Sequence, residues 1–243
     1  MKPRLSAGSE TLYAYWQDRF QRWLGGRPAT LEDGEAFLAS LEADGLKPNT
    51  RAIAAMALRH LGLQVTAPKL EFGEPNYLDI EQVRSLIEAA PSLLERTIIL
   101  VVFSSGCRIS EILNLEVPDL ELDAGVGTVT RKGGRRERVA LGKQGTEALR
   151  EWLAQRRRSS SRRVFMDYTY NDIYRLLKRT ARATGFPDFH PHLLRHSRAM
   201  HLRGAGRSVE DVAEVLGHTK IDTTRQFYFK RKAEERAELL VDF

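Results

Sequence analysis

The stretch VGTVTRKGGRRERVAL, residues 126–141, interrupts a chain that is otherwise helical in pattern. Two short runs rich in valine, threonine and arginine flank Gly133 and Gly134, and a glycine pair between such runs is typical of a hairpin turn. A third short strand is predicted at residues 120–122, before the turn sequence DAG. We therefore expect a mainly α fold with a small antiparallel sheet, an α+β class.

Helical patterns on both sides of this sheet make up most of the second part of the chain. Asp79 precedes Gln82 by three positions, as in a capping box that begins a helix. Apolar residues then recur every three to four positions, and glycines mark several helix ends. The helices predicted here cover residues 79–90, 93–105, 109–115, 146–157, 170–184, 192–203, 208–216 and 222–228.

The first 75 residues predict a separate, small helical unit. Its three amphipathic stretches, residues 9–24, 31–43 and 48–61, are joined by the Gly/Pro turns GGRPAT and DGLKPN. Residues 66–77, TAPKLEFGEPNY, contain two prolines and a glycine without periodicity, which is typical of a linker. We expect a helical domain at residues 1–66, a linker at 67–77 and a second domain at 78–243, whose residues 231–243 form a C-terminal tail.

The composition favours a globular protein that needs neither metal nor membrane. Of the 243 residues, 42% are hydrophobic and 29% are charged, which permits a sizeable core. Cys107 is the single cysteine, so no internal disulfide can form, and no Cys/His cluster has metal-ligand spacing. The longest apolar run, residues 98–103, is too short to cross a bilayer. We expect a soluble, untargeted, cytoplasmic protein without a bound metal.

The positive charge is concentrated in two stretches of the second part. The chain has a net charge of +6, and residues 1–75 contribute none of it, with nine basic and nine acidic residues. Residues 131–138 carry five basic residues and one acidic residue, and residues 150–182 carry ten and three. A single arginine run is commonly a solvated helix face or a loop, such as RRRSSSRR at residues 156–163, which we predict to be mobile. Two dense runs favour a polyanionic partner whose affinity falls with salt.

Arg108 is the first candidate for a functional side chain. It follows Gly106 and Cys107 at the junction between an apolar helix and the segment ISEILNL, where a charge needs an anionic partner. Glu111 is suitably placed to be that partner. From these residues alone, an Arg108–Glu111 pair that only orients a helix is favoured over a catalytic role.

The other candidates are also ambiguous one at a time. His192 and Arg195 lie three apart at the start of a helix, where an anion is favoured, although such pairs are often surface residues. Lys132 lies at a hairpin tip, where lysines are ordinarily exposed and inert. His218 follows a helix end, and Tyr228 stands between two phenylalanines. Each has a purely structural explanation.

Together and in this order, these residues resemble the tyrosine recombinases, the family of phage integrases and Xer-type recombinases. Four stretches carry the resemblance: SSGCRISEILNLEVPDL (104–120), TRKGGRRERVAL (130–141), HPHLLRHSRAMHLRGAG (190–206) and VLGHTKIDTTRQFY (215–228). They contain the family's set of Arg108, Lys132, His192, Arg195, His218 and, ten residues after His218, Tyr228. The first 75 residues resemble the family's core-binding domain only in being helical, and they are short for a Xer-type protein.

The resemblance implies site-specific cleavage and rejoining of DNA through a covalent 3′-phosphotyrosine, with no metal, nucleotide or other cofactor. Arg108 and Arg195 would hold the non-bridging phosphate oxygens, because guanidinium groups are always charged and bind oxygens in pairs. His218 would donate a further hydrogen bond. Glu111 would support Arg108.

The same resemblance assigns the groups that move protons. Tyr228 would be the nucleophile, and since a tyrosine with a pKa near 10 is largely protonated at neutral pH, His192 is expected to be its base. Lys132 would protonate the departing 5′ oxygen from the minor-groove side. His196 is assigned to helix packing.

The resemblance also implies partners. We expect double-stranded DNA, with backbone contacts from Arg131, Arg135, Arg136, Arg138, Arg175, Lys178 and Arg179, and a homotetramer on DNA formed from free monomers or dimers. The tail, residues 231–243, would dock on a neighbouring protomer, and localisation would be cytoplasmic at the nucleoid. Participation of a second recombinase or an accessory factor remains open. Transposon mobility, type IB topoisomerase-like nicking and a catalytically silent DNA-binding regulator are the alternatives.

Overall fold

The computed structural model describes residues 5, 7–71, 76–131, 133–156, 161–166, 168–218 and 221–229, without the side chains of Ala7, Gln226 and Phe227. The chain divides into two compact units, Met1–Gly73 and Glu74–Phe243. The described residues are mainly helical with one three-stranded antiparallel sheet, which confirms the predicted fold class. Within the described part, no helix is long and apolar enough to span a membrane.

The first unit contains three helices, α1 (Ala7–Leu24), α2 (Leu31–Ala43) and α3 (Pro48–Leu61). Thr30 and Asp33 form a capping box at the start of α2, and Pro48 occupies the first turn of α3, where a missing N–H costs nothing. Gly62 ends α3 with a φ of 106°, a conformation that favours glycine. The apolar faces meet in a core of Trp16, Phe20, Leu24, Phe37, Leu38, Leu41, Leu58 and Val65.

The second unit begins with the helices α4 (Ile80–Glu88), α5 (Leu93–Ser105) and α6 (Ile109–Leu113). The α5 helix is buried along nearly its whole length and forms the centre of the core. Gly106 ends it with a φ of 68° and turns the chain so that Arg108 becomes the residue before α6. The α6 helix is shorter than the predicted 109–115, because Pro118 lies in a following 3-10 turn, Val117–Asp119.

The predicted sheet is present as β1 (Leu120–Glu121), β2 (Val126–Thr130) and β3 (Arg136–Ala140), in that order. The β2–β3 register pairs Val126 with Ala140 and Thr130 with Arg136. The Arg131 amide donates to the Arg135 carbonyl at 2.8 Å, which closes the hairpin turn. The turn glycines both have positive φ, as the sequence predicts.

The described part of the second unit has five further helices: α7 (Lys143–Gln155), α8 (Tyr170–Ala183), α9 (His192–Gly204), α10 (Val209–Leu216) and α11 (Ile221–Tyr228). The α7 helix begins three residues before its predicted start. Gly142 and Gly145, at the start of this helix, pack closely against α5. A Cβ at Gly142 would come within 3.0 Å of Ser104 Cβ, and a Cβ at Gly145 within 3.3 Å. Glycine here permits close contact with α5 and is not a sign of a loop.

The arginine-rich segment predicted to be mobile is bound at its described ends. Arg156 donates to the Arg163 carbonyl at 2.7 Å, and Val117 donates to the Arg162 carbonyl at 2.8 Å. Residues 157–160 lie outside the described part. The mobility of the segment between these contacts stays a prediction.

Candidate active site

A buried carboxylate organises one side of the site. Glu111 is only 4% exposed and accepts hydrogen bonds from the Arg108 backbone N–H (2.8 Å), from Arg108 Nη1 (2.8 Å) and from Arg131 Nη1 (2.7 Å). Arg131 Nη2 also donates to Glu137 at 3.0 Å. The expected Arg108–Glu111 contact is present. Sequence reasoning missed that Arg131 shares the same carboxylate.

Arg131 is an internal residue, which contradicts its predicted place on the DNA backbone. It is 5% exposed, and its guanidinium lies against Gly217, where a Cβ would come within 2.4 Å of Arg131 Cζ. Its charge is engaged by Glu111 and Glu137. Arg131 therefore joins the end of β2 to the turn that precedes His218, and its guanidinium is not presented to a phosphate outside.

Arg195 connects two loops of the site. Only 1% of the residue is exposed, and its Nη1 and Nη2 donate to the carbonyls of Gly106 (2.8 Å) and Leu216 (2.7 Å). Burial, and then the like charge of Arg108, lowers the pKa of Arg195 to about 10, so the group stays protonated at neutral pH. Among the described residues, two of its five N–H donors have hydrogen-bond partners.

His218 contacts α11, the helix that carries the tyrosine. Its Nδ1 lies 2.6 Å from Oγ1 of Thr224, a fully buried residue of α11. Burial, followed by the charges of Arg195 and Arg108, lowers the pKa of His218 to about 4, so the imidazole is neutral at neutral pH. The Thr224 contact fixes the ring's orientation and leaves Nε2 for another partner.

Tyr228 is buried at the end of α11, with only 3% of the residue exposed. Its hydroxyl oxygen lies 2.5 Å from Nδ1 of His196 on α9. Burial raises the pKa of Tyr228 to about 12, although the charges of Arg195 and Arg108 act in the opposite direction. At neutral pH the tyrosine is therefore protonated, and its hydroxyl shares a hydrogen bond with His196 Nδ1.

The structure places His196 at the tyrosine hydroxyl, whereas the sequence predicts only a packing role for it. His192 lies one helical turn earlier, with its ring edge-on to His196 at a centroid distance of 4.5 Å. Burial, and then the charges of His190 and Arg195, lowers the pKa of His196 to about 4, which leaves it neutral. The four-residue spacing of His192 and His196 on one helix is the sequence signal that both rings share a face.

Residues 76–235 match the phage integrase family, and this match covers more than half of the chain. The chain belongs to the phage integrase family. It is 31% identical over 254 residues to tyrosine recombinase XerA of Thermococcus kodakarensis, covering 94% of this chain and 89% of that protein. It is 36% identical over 169 residues to tyrosine recombinase XerC of Xanthomonas axonopodis pv. citri, covering 65% of this chain and 55% of that protein. The resemblance to tyrosine recombinases is thereby confirmed.

Solved structures show that this family member shares the recombinase fold. XerH bound to a difH substrate in a pre-cleavage complex has a TM-score of 0.76 at 21% identity, covering 94% of this chain and 77% of that one. A lambda integrase tetramer bound to a Holliday junction has a TM-score of 0.74 at 18% identity, covering 95% and 75%.

The remaining predicted residues of this phage integrase family member lie on its surface or outside the described part. Lys132 is outside it, between the described Arg131 and Gly133. The exposed arginines pair with carboxylates, as in Arg138–Glu121 at 2.8 Å and Arg175–Asp172 at 3.0 Å. Exposed pairs of this kind are weak, so phosphate can replace the carboxylate. The other candidates are the exposed Arg135, Arg136 and Arg179 and the half-buried Lys178, which lies over the Tyr174 ring. Residues 231–243 are not described.

The described residues contain no group of side chains arranged as metal ligands. Across residues 7–71, 76–131 and the later described segments, no three His, Cys, Asp or Glu side chains are grouped as metal ligands. What the site does assemble is a set of cationic and imidazole donors around a tyrosine, which suits the stabilisation of phosphate charge.

Proposed function

We propose that this chain is a site-specific DNA recombinase that cleaves and rejoins strands through a covalent 3′-phosphotyrosine at Tyr228. The observation that carries the proposal is the grouping of three residues near the buried Tyr228. The charges of Arg108 and Arg195 act on the tyrosine, and His218 contacts the helix that carries it. Membership in the phage integrase family and similarity to proteins named tyrosine recombinases support it.

The arginines would act on the reacting phosphate. Arg108 keeps 38% of its side chain exposed, so it can receive a phosphate without leaving Glu111. Arg195 would add its unused donors, and His218 would donate from Nε2. Negative charge that develops on the non-bridging oxygens is then met by donors already in place, the arrangement that lowers a barrier most effectively.

The proposed step conserves the energy of the broken bond. The tyrosine oxygen forms a bond to phosphorus, its proton passes to a base for which His192 is the candidate by resemblance, and the bond from phosphorus to the 5′ oxygen breaks. The 5′ oxygen takes a proton from Lys132. Attack by another strand's 5′ hydroxyl reverses the sequence, so rejoining requires no cofactor.

The proposed partner is double-stranded DNA, acted on by a homotetramer built from free monomers or dimers. XerH and lambda integrase, whose folds this chain shares, are seen bound to a difH substrate and, as a tetramer, to a Holliday junction. The first helical unit would serve as the core-binding domain, and the similarity to XerA extends over 94% of the chain. The site of action would be cytoplasmic DNA at the nucleoid, with or without a second recombinase or accessory factor.

A capture experiment tests this function without knowledge of the target site. The full-length chain is incubated with a pool of random-sequence duplexes, quenched with detergent, and the DNA that remains attached is sequenced. We expect a small enriched set of attached sequences. Salt-sensitive DNA binding without any detergent-stable attachment would contradict the proposal and favour a DNA-binding regulator.

Exposed arginines of the two basic stretches are expected to set the salt dependence of DNA binding. Arg175→Gln should reduce the slope of log K against log salt by about 0.9, the value for one phosphate contact. Arg84→Gln is a matched control, because Arg84 is also exposed and paired with a carboxylate three positions away, but lies outside both stretches. Fluorescence anisotropy with a labelled duplex measures both slopes, and equal slopes for the two variants would contradict the prediction.

A further inference from the structure

A short contact to the tyrosine oxygen comes from a residue outside the family set assigned above. His196 Nδ1 lies 2.5 Å from Tyr228 Oη, which is shorter than an ordinary hydrogen bond between nitrogen and oxygen. His196 belongs to α9 and Tyr228 to α11, so the contact depends on the packing of two separate helices.

The surroundings of this pair keep water away from the hydroxyl. Tyr228 packs with Ala199, Val212 and Leu216 in a small apolar cluster. His196 is half-buried, and the edge-on ring of His192 covers one of its sides. Nδ1 of a neutral imidazole can accept the proton of a neutral phenol when the ring carries its own proton on Nε2.

We propose that His196 is the base that accepts the Tyr228 proton during strand cleavage; this inference rests on the proposed function. As the tyrosine oxygen bonds to phosphorus, its proton moves to His196 Nδ1, and the electron pair of the breaking bond leaves with the 5′ oxygen. In the reverse step the proton returns to the tyrosine. His192 then acts as a positioning residue that holds the His196 ring in place.

Electrostatics of the bound state favour this transfer. The charges of Arg195 and Arg108 are directed at the tyrosine and help a developing phenolate. An incoming DNA phosphate adds negative charge beside the same arginines and makes a protonated imidazole easier to form. Proton transfer is therefore coupled to substrate binding, and the tyrosine stays protonated in the free protein.

His196→Asn separates proton acceptance from positioning. The asparagine amide can place an acceptor oxygen near the former Nδ1, but it cannot hold a proton. His201→Gln is a matched control on the same helix, because His201 contacts the Leu78 carbonyl through Nε2 at 3.0 Å, the position that a glutamine amide mimics. The readout is the initial rate of detergent-stable attachment to the DNA captured by the wild-type chain, with circular dichroism to verify folding.

We expect His196→Asn to slow attachment about 100-fold to 10,000-fold, the range for loss of a general base, and His201→Gln to react at the wild-type rate. An Asn variant that reacts as fast as wild type, or faster, would overturn the inference while leaving the recombinase function intact. No attachment by the wild-type chain would overturn the function itself, and the inference with it.

Nitrogen NMR of the free protein tests the geometry without DNA. We expect the His196 Nδ1 signal to show an accepted hydrogen bond on the Nε2–H tautomer and to move when Tyr228 is replaced by phenylalanine. A His196 signal that is unaffected by Tyr228→Phe would also overturn the inference.

Discussion

Tyr228→Phe is expected to reduce covalent DNA attachment to an undetectable level while leaving duplex affinity within about twofold of wild type. Phenylalanine keeps the ring that packs with Ala199, Val212 and Leu216, and it removes only the oxygen. Because the hydroxyl bond to His196 is also lost, stability should fall by about 1 kcal/mol, a typical net value for one hydrogen bond. Detergent-resistant retention of labelled DNA measures the attachment.

Tyr170→Phe is the control for this variant. Tyr170 is 46% exposed at the start of α8 and stacks on Tyr174, so its hydroxyl has no place in the site. The control should attach DNA at the wild-type rate. Attachment that survives Tyr228→Phe would mean that a different side chain is the nucleophile.

Glu111→Gln is expected to lower the free energy of unfolding by about 3–5 kcal/mol, the cost of removing one partner from a buried ion pair. The Glu111 and Arg131 side chains are each 4% exposed, so solvent does little to screen their interaction. The substitution would leave Arg131 with Glu137 as its carboxylate partner and would remove the negative charge that offsets the repulsion between Arg108 and Arg195. Urea unfolding at neutral pH measures the difference from wild type.

Two comparison variants make this result specific. Arg138→Gln breaks the exposed pair with Glu121, whose side chains are 64% and 54% exposed, and should change stability by less than about 1 kcal/mol. Glu111→Gln combined with Arg131→Met should recover part of the loss, since no unpaired charge then remains buried at that position. A Glu111→Gln variant as stable as Arg138→Gln would show that the buried carboxylate does not stabilise the site.

The elements that sequence predicted well are those specified by neighbouring residues. The Asp79–Gln82 capping box, the helix end at Gly106 and the glycine hairpin after β2 all depend on contacts a few positions apart. Their geometry is set by local backbone chemistry, which one sequence records. The pairing of Arg108 with Glu111 was predictable for the same reason, because the two lie one turn apart.

The features that sequence reasoning missed depend on contacts between distant segments. Arg131 is internal because Gly217, 86 positions later, lacks a side chain and lets the guanidinium approach. The His196 ring meets Tyr228 because α11 packs on α9, a contact between residues 32 positions apart in sequence. Residues on one helical face can be identified from spacing, but the one that faces another helix is decided by tertiary packing.

The identity of the amino acid that carries the DNA tests the central claim most directly. The captured complex is digested with nuclease and trypsin, and mass spectrometry is used to find the peptide that retains a nucleotide. Cleavage after Arg225 and Lys230 releases QFYFK, residues 226–230, in which Tyr228 has the single side-chain hydroxyl. We predict that this peptide carries a nucleotide phosphate on Tyr228. A nucleotide found on any other peptide, or an unmodified QFYFK from DNA-bound protein, would contradict the account.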